Sequence, residues 1–195
     1  MKYLKILTLA IAAALLMALS AGTASADEIT SPPGKRAKEL VYSLVAGTSG
    51  KVLNTSGGEI LTCSKAKTTR PIVSQGAGMP IVTGPDEYDI ESCTLSTKVL
   101  KAGGDEIEAP AESTTATVKA TSESQMTVNT GLFGSCVYGV TAGTTVGSVN
   151  TSSGEFTASA VTEKLSGSAF ACPDTTKWIA NWIITVPDPF LFDNN

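Results

Sequence analysis

Apolar and polar residues alternate along most of the chain beyond residue 40. Short runs rich in Val, Ile, Thr and aromatic residues are separated by clusters of Gly, Ser, Asn and Pro, a pattern typical of antiparallel strands and turns. For example, Ala116, Val118 and Ala120 share one face of their segment, while the Thr and Lys side chains between them share the other. The pattern predicts strands at residues 40–45, 51–54, 59–63, 88–100, 114–121, 125–129, 136–141, 144–150, 155–162, 166–171 and 177–186.

The last of these strands has apolar side chains on both faces. One face carries Trp178, Ala180, Trp182, Ile184 and Val186, and the other carries Ile179, Asn181, Ile183 and Thr185. A strand that is apolar on both faces is typical of the centre of a sheet. Pro187 and Pro189 then remove backbone donors and are expected to end the pairing.

Turn residues divide the strands at several points. Residues 54–58, 142–143 and 150–154 have the composition of hairpin loops, whereas residues 75–84 and the acidic residues 102–112 are expected to form longer surface connections. We therefore predict an all-β fold: one antiparallel sandwich or sandwich-like barrel, formed by residues 40–192, with residues 193–195 as a tail. No second domain is expected.

The first 26 residues resemble a secretory signal peptide. Lys2 and Lys5 precede an apolar run at residues 6–19, which is shorter than the roughly 20 residues needed to span a bilayer. Ala24-Ser25-Ala26 follows with small residues at the cleavage positions, so we expect residues 1–26 to be removed. The charged residues 27–39, which include Pro32-Pro33-Gly34, are then expected to be a flexible leader. The mature protein is predicted to be secreted, without a membrane anchor, or held at the cell surface non-covalently.

Acidic residues are concentrated in the second half of the chain. The segment from Asp27 to Lys101 has 9 basic and 8 acidic residues. The segment that follows Lys101 has 3 basic and 10 acidic residues. An acidic surface repels phosphate backbones, so nucleic acid is not expected as a partner. The composition is compatible with an extracellular or cell-envelope ligand as the partner.

The cysteines predict disulfide bonds. An even number in an exported chain, Cys63, Cys93, Cys136 and Cys172, indicates two bridges, for which three pairings exist. We favour Cys63–Cys93 and Cys136–Cys172, because sequential pairing keeps each bridge within one half of a β meander. A zinc site is not favoured, because no Cys pair has the short spacing of metal ligands and the chain has no His. No cofactor is expected.

The absence of His also removes the common Ser-His-Asp and Cys-His catalytic arrangements. Two carboxylate clusters, at residues 86–91 and 105–108, lack the spacing of an EF-hand and are interpreted as solvated loop charges. Ser64-Lys65-Ala66-Lys67 fits the Ser-x-x-Lys pattern of penicillin-interacting enzymes, but no Lys-Thr-Gly accompanies it. Residues 47–51 are too short for a phosphate loop and are interpreted as a turn. The chain is therefore predicted not to be an enzyme.

Three aromatic residues are the remaining candidates for a site. Tyr138, Trp178 and Trp182 are interpreted either as a flat platform for a sugar or other apolar ligand or as filling of the core between sheets. Both alternatives stay open at the level of sequence.

Several motifs around the cysteines and the last strand resemble those of uncharacterised exported β-sandwich-like proteins of actinomycete-type bacteria. They are Gly58-Glu-Ile-Leu-Thr-Cys63, Ser92-Cys93-Thr94, Cys136-Val-Tyr-Gly139, and Phe170-Ala-Cys172-Pro173 followed by Lys177-Trp178-Ile-Ala180. The resemblance implies export, two bridges and a sandwich-like fold, and it carries over no catalytic residue. The function that we expect is a non-catalytic domain that binds or forms part of the surface. The alternatives are a glycan-binding module and a secreted inhibitor that presents residues 75–85 to an extracellular enzyme.

Overall fold

The computed structural model describes residues 26–30, 34–77, 79–85, 87–110, 112–131 and 134–194. Within these ranges the chain is all β, without an α-helix, and every strand pairing is antiparallel. The strands are β1 (Ala26–Thr30), β2 (Glu39–Leu44), β3 (Gly50–Asn54), β4 (Glu59–Ala77), β5 (Met79–Thr83), β6 (Glu87–Cys93), β7 (Ser96–Lys101), β8 (Asp105–Glu108), β9 (Thr115–Ala120), β10 (Ser124–Asn129), β11 (Ser135–Val140), β12 (Thr145–Asn150), β13 (Glu155–Lys164), β14 (Thr175–Val186) and β15 (Leu191–Asn194).

Eight of the strands close a barrel. The order is β2, β4, β5, β8, β9, β12, β13 and β14, and β14 pairs with β2 to complete the ring. Alternate side chains fill its interior, as the sequence pattern predicts for β9. Its largest fully buried apolar side chains include Leu40, Tyr42, Ile81, Ile107, Val118 and Val149. Closure leaves no free strand edge around this part of the molecule.

Three barrel strands continue beyond the ring. The first part of β4 pairs with β3 and β6, the first part of β14 pairs with β3, and the end of β13 pairs with β11. β10 and β7 extend this second sheet, whose order is β6, β4, β3, β14, β13, β11, β10 and β7. We call this part the open lobe, because the described residues contain no pairing between β6 and β7. The three long strands β4, β13 and β14 therefore run from the closed barrel into the open lobe.

The last major strand lies at the centre of this arrangement, as predicted. β14 pairs with β13 from Thr175 to Ile183 on one side and with β2 and β3 on the other. Trp178, Ala180 and Trp182 lie on the same face, which is the inward one. A register shift after Ile184 turns the end of the strand, so Val186 is exposed instead of continuing the apolar face.

The two disulfides have the favoured pairing. Cys63 and Cys93 lie opposite each other on β4 and β6. Cys136 on β11 is bonded to Cys172 in the connection between β13 and β14. Both bridges border the core cluster of the open lobe, which also contains Val52, Leu61 and Val128. Both disulfides therefore lie in the open lobe, the part of the structure in which the described strands do not close a ring.

Several sequence predictions are wrong. The leader is not loose around β1, because Ile29 is fully buried and β1 pairs with β15 and β4. The expected loop at residues 75–84 contains the end of β4 and all of β5, and the acidic connection contains β8. The predicted strand at 166–171 is a series of turns, and the strand predicted at 88–100 breaks at residues 94–95. Almost all of the predicted signal peptide, and Pro32, Pro33 and Asp86, lie outside the described residues.

The missed strands β1 and β8 have a common physical cause. β8 reads Asp-Glu-Ile-Glu, and only its pairing with β5 and β9 buries Ile107 and Asp105. The backbone N–H of Ile29 donates to Gln75 Oε1 at 2.8 Å, a contact 46 residues away along the chain. Short polar strands of this kind are stabilised by partners distant in sequence, and local propensity does not register such partners.

Removing either bridge should destabilise the protein to a similar extent. The bridges close loops with sequence separations of 30 and 36 residues. In the chain-entropy treatment each contributes about 3–4 kcal/mol. We expect Cys63→Ser/Cys93→Ser and Cys136→Ser/Cys172→Ser each to lower the free energy of unfolding by about that amount in urea titrations followed by circular dichroism. A loss below about 1 kcal/mol in either variant would contradict this expectation.

Candidate functional site

The open lobe encloses an apolar cavity of about 130 Å³. Its walls come from both sides of the gap and from the sheet between them: Ile90 on β6, Val99 on β7, Met126 on β10, and Val52 and Leu61 on β3 and β4. The volume approaches that of engineered apolar cavities of about 150 Å³ that bind benzene. The cavity exists because the sheet is curved like a barrel but does not close to bring β6 against β7.

Tyr138, Trp178 and Trp182, which the sequence places on two separate strands, all line this cavity. Tyr138 and Trp182 are only 1% and 3% exposed, and Trp178 is half-buried. The two indole rings lie with their centroids 6.2 Å apart and their planes inclined by 59°. The three rings therefore form walls of an interior space, and their arrangement differs from the flat exposed platform considered from the sequence.

Two uncharged residues of this lining each carry a buried polar atom without a hydrogen-bond partner in the described chain. They are the hydroxyl of Tyr138 and the indole Nε1 of Trp182. Burying a hydrogen-bonding group without a partner costs about 1–3 kcal/mol. Both atoms have essentially no accessible surface, so they are packed against protein atoms, and the rings rather than these atoms contact the cavity.

The Tyr138 hydroxyl remains protonated at neutral pH. Burial raises the pKa of Tyr138 above its ordinary value, and the negative charge of Asp174 raises that pKa further. A protonated phenol donates a hydrogen bond, and an indole N–H can only donate. Both unpartnered groups are consequently donors.

A buried ion pair forms the end of the cavity next to the barrel. The guanidinium of Arg70 contacts the carboxylate of Asp105, and both side chains are almost fully buried. The guanidinium also lies 5.0 Å from the ring centroid of Tyr42 and 6.0 Å from that of Phe156, within the range of cation–π attraction. The backbone N–H of Asp105 donates to Thr83 Oγ1 at 3.0 Å, which fixes the segment carrying the carboxylate.

Sequence reasoning missed this ion pair. Asp105 belongs to the acidic cluster interpreted as solvated, which is correct for exposed Glu108 but wrong for the first residue. Arg70 lies in a segment for which no strand was predicted. The alternation Asp105-Glu106-Ile107 places the Asp on the same face as the buried Ile. This alternation was the one feature of the sequence that could have indicated a buried Asp105.

The other charged side chains that line the cavity are also ion-paired. Lys51 on β3 contacts Glu59, and Lys101 on β7 lies 2.8 Å from Glu123. The carboxylates of Glu59 and Glu123 have lowered pKa values, chiefly because their Lys partners donate hydrogen bonds to them. The cavity thus carries no uncompensated charge among the described lining residues.

The remaining sequence candidates lie apart from the cavity or on its outer side. Asp89 and Glu91 are exposed on β6 opposite Lys67 and Lys65, so the Ser-x-x-Lys segment is part of an exposed sheet surface. In the segment 47–51, interpreted as a turn, residue 47 belongs to a turn formed by residues 46–47, whereas Gly50 and Lys51 begin β3. In the described ranges no group of three or more His, Cys, Asp or Glu side chains is placed to hold a metal ion. Those ranges also contain no helix long and apolar enough to cross a membrane.

No protein-family model, curated protein or solved structure matches this chain. The arrangement is therefore characterised by its own geometry: an eight-stranded antiparallel barrel, extended by an open lobe with an interior apolar cavity.

The Arg70–Asp105 pair should show strong coupling. Asp105→Leu leaves a guanidinium buried without its carboxylate, so we expect a loss of about 3–5 kcal/mol in the free energy of unfolding. Adding Arg70→Met removes the buried charge and should recover most of that loss. Urea unfolding of the two single variants and the double variant measures the coupling. If the double variant is no more stable than Asp105→Leu, the loss of stability in Asp105→Leu does not come from an unpaired Arg70, and the predicted coupling is wrong.

The raised pKa of Tyr138 predicts a specific loss of stability in alkali. Because the unfolded chain releases this proton at a lower pH than the folded protein does, the contribution is complete below about pH 10 and is lost as the pH rises towards the folded-state pKa. Wild type should therefore lose more stability than Tyr138→Phe between about pH 8 and pH 11. Urea midpoints across this range give the comparison, and parallel curves would contradict it.

Proposed function

We propose that this chain is an exported, non-catalytic β domain that binds a small, mostly apolar ligand in the cavity of the open lobe. The observation that carries the proposal is the cavity itself, which has a volume of about 130 Å³ and is lined mainly by aliphatic and aromatic side chains. Apolar surface that lines an unfilled space loses contacts that a bound apolar ligand would restore.

The location of the cavity supports this role. It lies behind the gap between β6 and β7, where the described strands do not pair, so widening the gap breaks no sheet hydrogen bond there. Both disulfides border the lobe and hold its core while the gap stays open. Binding sites of this type are concave, mostly apolar and largely formed before the ligand arrives.

Export is supported by the chemistry of the cysteines. All four are bonded in pairs, and structural disulfides persist mainly in oxidising compartments outside the cytosol. The signal-like start of the sequence and the resemblance to exported proteins of actinomycete-type bacteria favour the same location. Action at the cell envelope or in the surrounding medium follows as part of the proposal.

A non-catalytic role is supported by the composition of the cavity. The chain has no His, and the charged groups that line the cavity are engaged in ion pairs. Such groups are poorly placed to exchange protons with a substrate, since each already contacts an oppositely charged side chain. Binding needs only the shape and the apolar lining of the cavity.

Ligand binding should be blocked by filling the cavity from its open side. Val99 lines the cavity on β7, and its neighbour Leu100 is half exposed on the opposite face of the strand. We expect fluorobenzene to bind wild type and Leu100→Phe, with its fluorine resonance broadened and shifted, and to bind Val99→Phe at least ten-fold more weakly.

Sugars serve as the comparison for the glycan alternative. Because the rings line a narrow and mostly apolar space, mono- and disaccharides should leave the two indole N–H resonances unchanged in the same samples. If the indole N–H resonances shift to saturation with a sugar but not with fluorobenzene, the glycan-binding alternative would be favoured over an apolar ligand. Failure of fluorobenzene to bind wild type would contradict the proposed function itself.

A further inference from the structure

We infer that the cavity of the open lobe prefers ligands that contain an uncharged aromatic ring over aliphatic ligands of similar size. This inference rests on the proposed function and specifies the chemical class of the ligand. It depends on two observations: the concentration of aromatic side chains in the cavity wall, and the balance of charge among the residues that line the cavity.

Aromatic side chains are concentrated in this wall. Both tryptophans of the chain and two of its four tyrosines line the cavity. Trp178 and Trp182 lie on β14, Tyr138 lies on β11 and Tyr88 lies on β6, so the rings come from three strands of the lobe. Tyr88 and Trp178 are only partly buried. A ligand in this space therefore meets aromatic rings that belong to several strands.

The rings can distinguish an aromatic ligand from an aliphatic one, whereas the other apolar walls cannot. Val52, Leu61 and Val99 attract both kinds of ligand, because burial and dispersion depend mainly on the area of contact. Aromatic rings add a quadrupole interaction, which favours edge-to-face and offset contacts with another ring. Trp178 and Trp182 already form a tilted contact of this kind, with centroids 6.2 Å apart. An aromatic ligand can extend this arrangement, and a saturated ring of similar size cannot.

A methionine in the wall favours the same class of ligand. Met126 lies opposite Tyr138 on the neighbouring strand β10, and it lines the cavity. The thioether sulfur is polarizable and makes favourable contacts with aromatic rings, often at the ring edge. The wall formed by β10 therefore adds to the preference for an aromatic ligand.

The charge of the lining favours a neutral ring over an organic cation, which aromatic walls can also bind. Lys51, Arg70 and Lys101 line the cavity, and each contacts a carboxylate. Asp105, the acidic residue among the described lining residues, is already paired with Arg70. A cationic ligand would lose its hydration without meeting an uncompensated negative charge, and a neutral ring avoids this cost.

Two ligands of similar size test the preference. Fluorobenzene carries the aromatic ring, fluorocyclohexane is its saturated counterpart, and the fluorine resonance of each reports binding. Each dissociation constant is compared with the partition of the same compound from water into hexadecane, which corrects for the difference in hydrophobicity. After this correction we expect wild type to bind fluorobenzene about five-fold or more tightly than fluorocyclohexane, since more than one ring of the wall contributes.

Replacing the rings with leucine separates this preference from simple filling of the cavity. In Trp178→Leu and in Tyr88→Leu the wall stays apolar, so fluorocyclohexane should still bind, while the preference for fluorobenzene should fall about three-fold in each variant. Both side chains are partly exposed, so we expect both variants to fold. Phe170→Leu is the matched control, because Phe170 is fully exposed and does not line the cavity. It should leave the preference unchanged.

Three results would count against these expectations. Equal or reversed corrected affinities in wild type, or a preference that persists in both Trp178→Leu and Tyr88→Leu, would overturn this inference while leaving an apolar ligand-binding cavity in place. Tighter binding of tetramethylammonium than of fluorobenzene would show that the aromatic wall selects a cation and that the inferred neutrality is wrong. If fluorobenzene does not bind wild type at all, the proposed function fails together with the inference.

Discussion

Continuity of the long strands is the constraint on which the rest of this structure depends. β4, β13 and β14 each pair in the barrel and again in the open lobe, so the curvature of the closed ring is imposed on the sheet beyond it. Backbone groups on both sides of these strands must be satisfied along their whole length. The ring achieves this by closure. The lobe achieves it with five further strands, and its sheet ends at β6 and β7 without joining them.

The cavity is a direct consequence of that incomplete closure. A small closed barrel is filled by its own side chains, as the ring is here by Leu40, Ile81, Ile107 and Val149. In the lobe the side chains leave a space of about 130 Å³, and the two Trp rings of β14 form part of its wall. The disulfides add covalent links within the lobe, between β4 and β6 and between β11 and the connection that precedes β14.

Polar groups mark the boundary between the two halves. The Arg70–Asp105 pair occupies the end of the cavity where it meets the barrel core, and its neutral sum keeps that end free of net charge. Tyr138 and Trp182 line the same cavity with their rings, while the hydroxyl and the indole Nε1 are packed away from accessible space. The cavity is therefore apolar along most of its wall, which is the basis for the proposed ligand class.

The sequence by itself determined the all-β class and the inward face of β9, because both follow from the alternation of neighbouring residues. It predicted the central position of β14 from the two apolar faces of that strand, and it favoured the observed disulfide pairing among three, a choice that the structure settles. Only the tertiary structure decided that β1, β5 and β8 are strands. β1 pairs with β15 near the other end of the chain, and β5 and β8 are joined into the barrel by pairing with each other, Ile81 opposite Ile107. The same holds for the site. Local pattern could select Tyr138, Trp178 and Trp182 as candidates, but whether they form a platform, a packed core or a cavity wall depends on how far the sheet closes. That is settled by long-range pairing between strands and not by any segment alone.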